Sequence, residues 1–508
     1  MVKLKKYILD PNYQLFIVLL FFLVGKILVS GVGYLGDSDE GVYSYIYRNF
    51  DSLLAGNFLT WYNSMELQTG PILETLIRFF QTGIAKLLLS IFLTDYTIYD
   101  VVYVLGGFNI LVSIASLIVF YKILKNLDFD HSVSILGVIL IGVFCNFNIY
   151  IRHILPYENG LLLNLLSLMF LTSKNINFKK ILLSGIFFAL AIFTYNGYFM
   201  FLFINVCLIM YLYRSNFREF TRVNLLFFLP MLIIMLTIEL TMQLVDKSFL
   251  EFILSSSTTI NQGSSNEGIA YLAIYFYFVE KWYGVLILIL FVVGLYNLFA
   301  NKAYNKASFI ALIGISAYFI YGFYVYFFQS MVFYGRILHM YYPFIIITCL
   351  IFIQRVKFKT RKVIIFSLIV LASFNYYQVI KDLNSIAYPI NIAIDYKLNS
   401  SNITYSSVTE LECLYDIDDI NSHKLYNDTK STNLLSGKYL LLNFGFFKHY
   451  PDAFINKYQK FNDMSDLKRI FSKKHFMSHP AYTFEYCTQT GRKFFIDKSF
   501  NIRIFEAY

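Results

Sequence analysis

Long apolar runs separated by short basic loops constrain this chain more than any other feature of its sequence. The first run extends from about Leu15 to Val32, and such a run crosses about 30 Å of hydrocarbon when it is helical. The further runs are 98–121, 132–150, 154–172, 180–194, 195–213, 222–242, 281–300, 307–328, 337–354 and 362–380. The pattern predicts a polytopic α-helical membrane protein with about 11 transmembrane helices.

The composition excludes a set of soluble domains. Charged residues make up 15% of the chain, whereas a soluble domain carries about 25%. The net charge of +10 is concentrated in short loops, which favours orientation in a bilayer over binding of nucleic acid. No small-residue cleavage pattern follows the first run, so we expect a retained anchor and not a signal peptide.

The segment 71–92 determines the predicted sidedness. Glu74, Arg78, Thr82 and Lys86 recur every fourth residue and form a polar stripe on one helical face. Such a stripe is typical of a helix lying in the headgroup plane, so we expect this segment at the interface. The basic loops then share the side of the N-terminus, as the positive-inside bias requires. We therefore expect a multi-pass protein of the plasma (inner) membrane with a cytoplasmic N-terminus.

This topology divides the chain into two predicted domains. Residues 1–380 form the transmembrane domain, with external loops at 33–97 and 243–280, and residues 381–508 form an extracytoplasmic C-terminal domain. The C-terminal part is charged and polar, and its apolar residues alternate in windows that predict strands. Strands at 438–447 and 494–505 with a short helix at 463–473 would make a small α/β domain.

An acidic cluster follows the first apolar run. Asp37, Asp39 and Glu40 place three carboxylates within four residues, which is costly beside an apolar boundary. Residues 42–53 carry one apolar face and predict a second interfacial helix. Asp39 and Glu40 lie at its start, where the helix dipole stabilises negative charge. An acidic cap on a solvated helix is therefore the alternative to a functional site.

The order of these motifs resembles the GT-C glycosyltransferases. An apolar span, the Asp39–Glu40 pair, a tyrosine-bearing helix, the Gly70–Pro71 step and an interfacial helix follow one another. The nearest resemblance is to the protein O-mannosyltransferase and aminoarabinose transferase branch, which uses polyprenyl-phosphate-linked sugars. It covers roughly the first 380 residues and continues through 148–171, 180–213 and 334–339 ahead of Pro343.

The resemblance implies that Asp39 acts at the reaction centre, with Glu40 beside it. A carboxylate there takes the proton of an acceptor hydroxyl and stabilises an oxocarbenium-like transition state. One direct displacement inverts the anomeric centre. The acceptor is an extracytoplasmic glycan, lipid or protein. Because the loop is predicted outside and the chain lacks a Gly-rich dinucleotide turn, a polyprenyl-phosphate-linked donor is expected and not a nucleotide sugar.

The departing lipid phosphate needs a cation near the interface. Arg336 matches the basic position of the related enzymes, and Arg152 and Lys281 are also predicted near outer span ends. Binding of membrane-lipid headgroups is the alternative for each. Glu158, with His153, is expected on the acceptor side, where related enzymes have a second acid. An ion pair with Arg152 is the alternative for Glu158.

Two further features bear on the donor site. Related enzymes often have a lysine before the proline of the second interfacial helix, whereas this chain has Gln68, Thr69 and Gly70 there. Asp37 and Asp39 form an Asp-x-Asp pattern that is compatible with a divalent cation. No cofactor is required, because arginine also neutralises a monophosphate. His339 lies three residues after Arg336 and is interpreted as a packing or hydrogen-bonding residue.

Two other functions fit parts of the sequence. A polysaccharide polymerase or ligase usually relies on basic residues in a late external loop, but 243–280 contains only Lys247. A non-enzymatic transporter or flippase of lipid-linked sugars requires ionisable residues within spans and broken helices. Glu239 is the main acid that the sequence places within a span, which makes this function the weaker one.

The predicted sidedness can be tested by thiol labelling of intact cells, after Cys413 and Cys487 are replaced by serine. We expect Ser38→Cys to react with a membrane-impermeant reagent, because the acidic loop is predicted outside. The matched variant Lys179→Cys, in a basic loop, is expected to react only after permeabilisation. The reverse pattern would place the acidic loop on the nucleotide side and remove the argument for a lipid-linked donor.

Overall fold

The computed structural model describes most of the chain as helical. The described residues are 10–30, 50, 72–96, 98–243, 248, 268–300, 305–328, 333–388, 403–405, 439–442, 467–475, 479–486 and 501–507. The helices are α1 (Pro11–Val29), α2 (Ile72–Phe92), α3 (Ile98–Asn126), α4 (His131–Gly142), α5 (Asn146–Ile149), α6 (Tyr157–Thr172), α7 (Phe178–Thr194), α8 (Met200–Tyr213), α9 (Phe217–Gln243), α10 (Tyr271–Phe278), α11 (Lys281–Ala300), α12 (Lys306–Phe328), α13 (Gly335–His339), α14 (Tyr342–Arg355), α15 (Phe358–Asn384) and α16 (Pro480–Tyr486).

Seven of the described helical segments are long and apolar enough to cross a membrane. They contain α1, α3, α8, α9, α11, α12 and α15, and an eighth is obtained when α4 and the following bent segment are counted as one span. The prediction of a polytopic helical membrane protein is confirmed at this level. The predicted total of about 11 spans is not reached among the described residues and stays a prediction.

The first helix shows how local sequence sets its ends. The Asp10 side chain accepts a hydrogen bond from the Asn12 N–H at 2.8 Å, and Pro11 occupies the first helical position. At the other end, the Ser30 N–H donates to the Lys26 carbonyl at 2.9 Å. The side chain of Lys26 points into the protein and is fully buried.

Three predicted spans are interrupted. The span predicted at 132–150 ends as α4 at Gly142, and the chain then bends by 68° into the segment Asn146–Arg152. The span predicted at 154–172 begins only after Pro156, and the span predicted at 337–354 divides into α13 and α14 before Pro343. Proline lacks an N–H and limits the preceding residue, which accounts for the last two interruptions.

Five strands in the C-terminal part form one mixed sheet. The strands are β1 (Ile386–Ala387), β2 (Ile403–Tyr405), β3 (Tyr439–Leu442), β4 (Leu467–His475) and β5 (Asn501–Ala507), and their order is β1-β4-β5-β3-β2. β5 is antiparallel to β3 and β4, whereas β1 is parallel to β4 and β2 is parallel to β3.

The strand predictions at 438–447 and 494–505 overlap β3 and β5, but the helix predicted at 463–473 is wrong. That segment enters β4, which pairs with β5 along most of its length. The pairing joins segments that are distant in the chain, so a local helical pattern does not reveal it. The extent of a separate α/β domain stays a prediction.

Glycines allow several helices to approach closely, and the contact between α7 and α9 at Gly185 can be tested. A Cβ atom at Gly185 of α7 would overlap the Phe227 carbonyl of α9, whereas a Cβ atom at Gly107 of α3 would meet open space. We expect Gly185→Ala to destabilise the protein by about 1–3 kcal/mol because the backbone cannot yield. Gly107→Ala should be neutral or stabilising by up to about 1 kcal/mol. Thermal unfolding in detergent measures both, and equal Tm values would contradict the packing.

Candidate functional site

The connector between α4 and α6, residues 143–156, is the structural centre of the described chain. Every residue from 143 to 160 is buried. The 12 residues of α4 and the 16 residues of α6 correspond to about 18 and 24 Å of helix, whereas the hydrocarbon layer measures about 30 Å. Neither helix alone reaches this length, and the irregular backbone of the connector, buried from water, requires protein partners.

Glu280 supplies partners at the start of α5. Its carboxylate oxygens accept hydrogen bonds from the backbone N–H groups of Cys145, at 2.9 Å, and Asn146, at 3.3 Å. These N–H groups begin a short helix after the bend, where no preceding turn is available to accept them. A buried carboxylate at this position satisfies both donors and is itself stabilised by them.

Lys26 supplies the next partner from α1. Its ammonium donates to the Phe147 carbonyl at 2.6 Å and to Asn148 Oδ1 at 3.3 Å. Asn148 in turn donates through Nδ2 to the carbonyls of Gly142 and Phe144, at 3.0 and 2.8 Å. A lysine in an apolar run thus holds both sides of the bend.

Arg78 of α2 holds the far end of the connector. Its guanidinium donates to the Leu155 carbonyl at 2.8 Å, to Asn109 Oδ1 at 2.9 Å and to Glu74 at 2.6 Å. Asn109 in turn donates a hydrogen bond through Nδ2 to the His153 carbonyl at 2.7 Å. The charged side chains of Arg78 and Glu74 are both fully buried.

The interpretation of the 71–92 stripe as a face in the headgroup plane is therefore wrong. Glu74, Arg78 and Thr82 face the protein interior, and the apolar face of α2 is the exposed one. Asn159 donates to both oxygens of Glu74, at 3.1 and 2.9 Å. Burial raises the pKa of Glu74, and the neighbouring charge of Arg78 opposes that shift. Whether α2 lies in the interface or crosses the membrane stays a prediction.

Glu158 differs from the other buried acids that the structure describes. Its side chain is 1% exposed, and no described residue donates a hydrogen bond of ordinary length to its carboxylate, with which the Ser113 hydroxyl makes only a longer contact. It faces the imidazole of His339 of α13, with 4.0 Å between Oε1 and Nε2. Lys26 also interacts with it electrostatically, and Ser113 of α3 lies nearby. The predicted alternative, an ion pair with Arg152, is not the contact that the structure gives Glu158.

His339 is fixed among aromatic rings. Nδ1 lies 3.3 Å from the Tyr198 hydroxyl, and Phe147 meets the imidazole edge-on with 4.2 Å between ring centroids. Nε2, on the side of Glu158, is buried and has no hydrogen-bond partner among the described residues. The imidazole is thereby oriented with one nitrogen toward a tyrosine and the other toward the acid.

Arg336 lies beside this acid–imidazole pair. It donates through Nη1 to the hydroxyl of Tyr157, the residue before Glu158. Its guanidinium also lies over the rings of Tyr157 and Tyr334, 5.2 and 4.6 Å from their centroids. Arg336 is half-buried, so part of the cation remains accessible. Arg336 and Glu158, both predicted from the sequence, are thus linked through neighbours: Arg336 contacts Tyr157, the residue before Glu158, and Glu158 faces His339 of the same short helix as Arg336.

The other predicted cations have different partners. Arg152 is fully buried, donates to the Leu383 carbonyl at 2.5 Å and lies over the Tyr388 ring. Lys281 forms a partly exposed ion pair with Asp382 at 2.5 Å. Both contacts tie the outer parts of the bundle to the end of α15, and neither requires a phosphate to explain it.

His153, predicted on the acceptor side, contacts the C-terminal part of the chain. Its Nε2 lies 2.8 Å from the hydroxyl of Tyr482 in α16. The Tyr271 hydroxyl also donates to the Phe484 carbonyl at 3.0 Å. These two contacts fasten α16 to the connector and to α10.

The predicted catalytic residues Asp39 and Glu40, and the predicted metal ligands Asp37 and Asp39, lie outside the described residues. Phe50, which follows that segment, packs against Phe79 with 4.9 Å between ring centroids. Within the described part of the chain, no group of three or more His, Cys, Asp or Glu side chains is arranged to hold a metal ion.

Sequence reasoning missed Lys26 and Glu280 and gave His339 only a packing role. Lys26 is the one charge inside the first apolar run, and Glu280 precedes α11 after a Tyr- and Phe-rich segment. Either position is a signal that an apolar segment carries an ionisable group, which in a membrane requires a partner. Neither signal names that partner.

Comparison with protein-family models, with curated proteins and with solved structures finds no match for this chain.

The structural role of Arg78 can be tested by removing its charge. We expect Arg78→Met to destabilise the protein by about 3–5 kcal/mol, because Glu74 is left as an uncompensated buried charge. The matched variant Lys174→Met breaks an ion pair with Asp128 whose side chains are 68% and 76% exposed. That change should cost less than about 1 kcal/mol.

Thermal unfolding in detergent measures both losses, and the double variant Glu74→Gln/Arg78→Met should recover part of the Arg78→Met loss. Equal destabilisation by Arg78→Met and Lys174→Met would show that the buried contacts of Arg78 stabilise the protein no more than an exposed ion pair does.

Proposed function

We propose that the protein is an integral membrane glycosyltransferase that transfers a sugar from a polyprenyl-phosphate-linked donor to an extracytoplasmic glycan, lipid or protein. The observation that carries the proposal is that Arg336 of α13 hydrogen-bonds to Tyr157, the residue before Glu158 at the start of α6. A cation for a phosphate and an acid for a hydroxyl are the two groups that this reaction needs close together. The resemblance to GT-C enzymes independently implies a basic residue at position 336 and an acid at position 158.

In this proposal Arg336 binds the donor phosphate. Its guanidinium is planar and presents several N–H groups, which suits a phosphate that gains charge as the sugar leaves. Tyr157 and Tyr334 hold the plane of the guanidinium and exclude water from one face. Arg152 and Lys281 are assigned to anchoring of the bundle, since their described partners are a carbonyl and a carboxylate.

The acidic residues remove the acceptor proton and orient the acceptor hydroxyl. Asp39, in the acidic loop, takes the acceptor proton as the new glycosidic bond forms, and Glu40 assists beside it. Glu158 orients the acceptor hydroxyl from the membrane side. Arg336 neutralises the phosphate, so the proposal needs no metal ion, and a cation at Asp37 and Asp39 is compatible with it.

A transporter of lipid-linked sugars is the second candidate, and one observation favours it. The span that begins with α4 is broken, and Lys26 and Glu158 are buried ionisable groups beside the break. Broken helices and buried charges are typical of transport pathways. The sequence argument against a transporter rested on the position of Glu239 toward the end of its span and on the concentration of polar residues at one face, and these buried residues weaken it.

The proposal can be tested in proteoliposomes that contain polyprenyl-phosphate-linked sugars and a lipid extract as acceptor. We expect Arg336→Gln to lower the release of polyprenyl phosphate by about 10²–10³-fold, since one charge-stabilising donor is lost. Asp39→Asn should lower it at least as strongly. Two control variants should leave the rate within a few-fold. They are Glu239→Gln and Arg355→Gln, which removes an arginine from the last turn of α14.

Release that is equal in wild type, Arg336→Gln and Asp39→Asn at matched protein abundance would reject the transferase. Sugar-lipid translocation across the vesicle membrane without release of polyprenyl phosphate would instead support the transporter.

A further inference from the structure

The buried charges of the described chain fall into two groups. Glu280, Lys26 and Arg78 each hydrogen-bond to backbone atoms of the connector. Their burial is explained by the need to satisfy an irregular backbone that is buried from water. Glu158 and His339 do not share this explanation, because their facing atoms contact no described backbone group. Buried polar atoms without partners are rare and call for a ligand.

We propose that Glu158 and His339 bind a bridging hydroxyl group, from water or from a sugar, and that they pass one proton across a bridging water. The distance of 4.0 Å between Oε1 and Nε2 exceeds the range of about 2.6–3.2 Å in which a proton passes directly. An oxygen atom about 2.8 Å from each would make two ordinary hydrogen bonds. A hydroxyl fits because it both donates and accepts.

The surrounding side chains suit a movable proton. Tyr198, at 3.3 Å from Nδ1, either donates to the imidazole or accepts from it. When Tyr198 donates, the proton of a neutral imidazole lies on Nε2 and faces the bridging oxygen, and when it accepts, Nε2 becomes an acceptor. The buried hydroxyl of Ser113 of α3 makes a long contact on the side of Glu158.

Lys26 acts as a positioning residue for this pair. Its ammonium is fixed by the Phe147 carbonyl and by Asn148, and it interacts electrostatically with both Glu158 and His339. The other charged or titratable groups near the pair are Arg336 on α13 and the tyrosines 150 and 157 of the connector and α6. A fixed positive charge opposes the uptake of a further proton by either member of the pair.

The binding of a hydroxyl does not depend on the proposed transferase, but the assignment of that hydroxyl to the acceptor rests on it. In that case Glu158 and His339 hold the acceptor oxygen by hydrogen bonds, and the acceptor O–H bond breaks as Asp39 takes the proton. The electron pair forms the bond to the anomeric carbon, and the electrons of the sugar–phosphate bond leave with the phosphate. With water as the bridge, a proton carried by one of the two groups passes to the water while a proton of the water passes to the other group, and no covalent bond to carbon changes.

Infrared difference spectroscopy of the purified full chain in lipid nanodiscs tests the site without a sugar donor. We expect a pH step to change a carboxylic acid C=O band and an O–H band of a bound hydroxyl. Glu158→Gln should abolish both bands, and His339→Gln should displace both. Lys26→Arg should retain them, whereas Lys26→Met should shift the pH midpoint by about one unit or more. Glu239→Gln, an acid that accepts from Gln243 and Ser248, should match wild type.

Two additions distinguish the sources of the hydroxyl. Exchange into H₂¹⁸O shifts the O–H band when water is the bridge, and methyl glucoside abolishes the ¹⁸O-sensitive band when a sugar hydroxyl replaces it. If Glu158→Gln does not fold, Glu158→Asp keeps the charge but withdraws it from His339, so the O–H band should still be lost.

Bands that persist in Glu158→Gln, or that are unchanged in His339→Gln, overturn the inference. That result would leave the proposed function standing if Arg336→Gln still loses sugar transfer. Bands that behave as expected, in a protein whose Glu158→Gln variant transfers sugar normally, support the hydroxyl site and reject its assignment to the acceptor.

Discussion

Charge-assisted hydrogen bonds to the connector 143–156 are the interaction on which the described membrane domain depends. The chain between the two short helices is irregular and buried, so an unpaired backbone group there costs several kcal/mol. Lys26, Arg78 and Glu280 reach the connector from α1, α2 and the start of α11. These three charges first serve the fold, and they fix the start of α6, where Glu158 lies.

The sequence predicts the helices better than it predicts their interruptions. Apolar runs mark helices because each run satisfies its own backbone, which is a local property. The partners of the bend are distant, with 121 residues between Lys26 and Phe147 and 135 between Glu280 and Cys145. The stripe of α2 was found by its period, yet periodicity shows only that two faces differ. It does not reveal whether the polar face meets water or protein.

The candidate site was also predictable only in part, because local motifs show residue types but not their distant neighbours. Arg336 and Glu158 follow from ordered motifs, and the structure links them through Tyr157 and His339. Arg152 and Lys281 belong to the same residue types, but their described partners lie at the end of α15. Only three-dimensional neighbours separate a fully buried cation, such as Arg152, from the half-buried Arg336. His339 gained its place beside Glu158 in the same way, because a lone histidine carries no spacing signal.

The connector also bears on the choice between a transferase and a transporter. Alternating access requires the broken segment to exchange partners between two states. Here its N–H and carbonyl groups are held by charged side chains from three separate elements, and each such bond is stronger than one between neutral groups. Movement of the connector would leave buried charges unpaired, which is strongly unfavourable. A fixed connector is instead what a catalytic site needs, since the reacting groups must keep their positions while the charge develops.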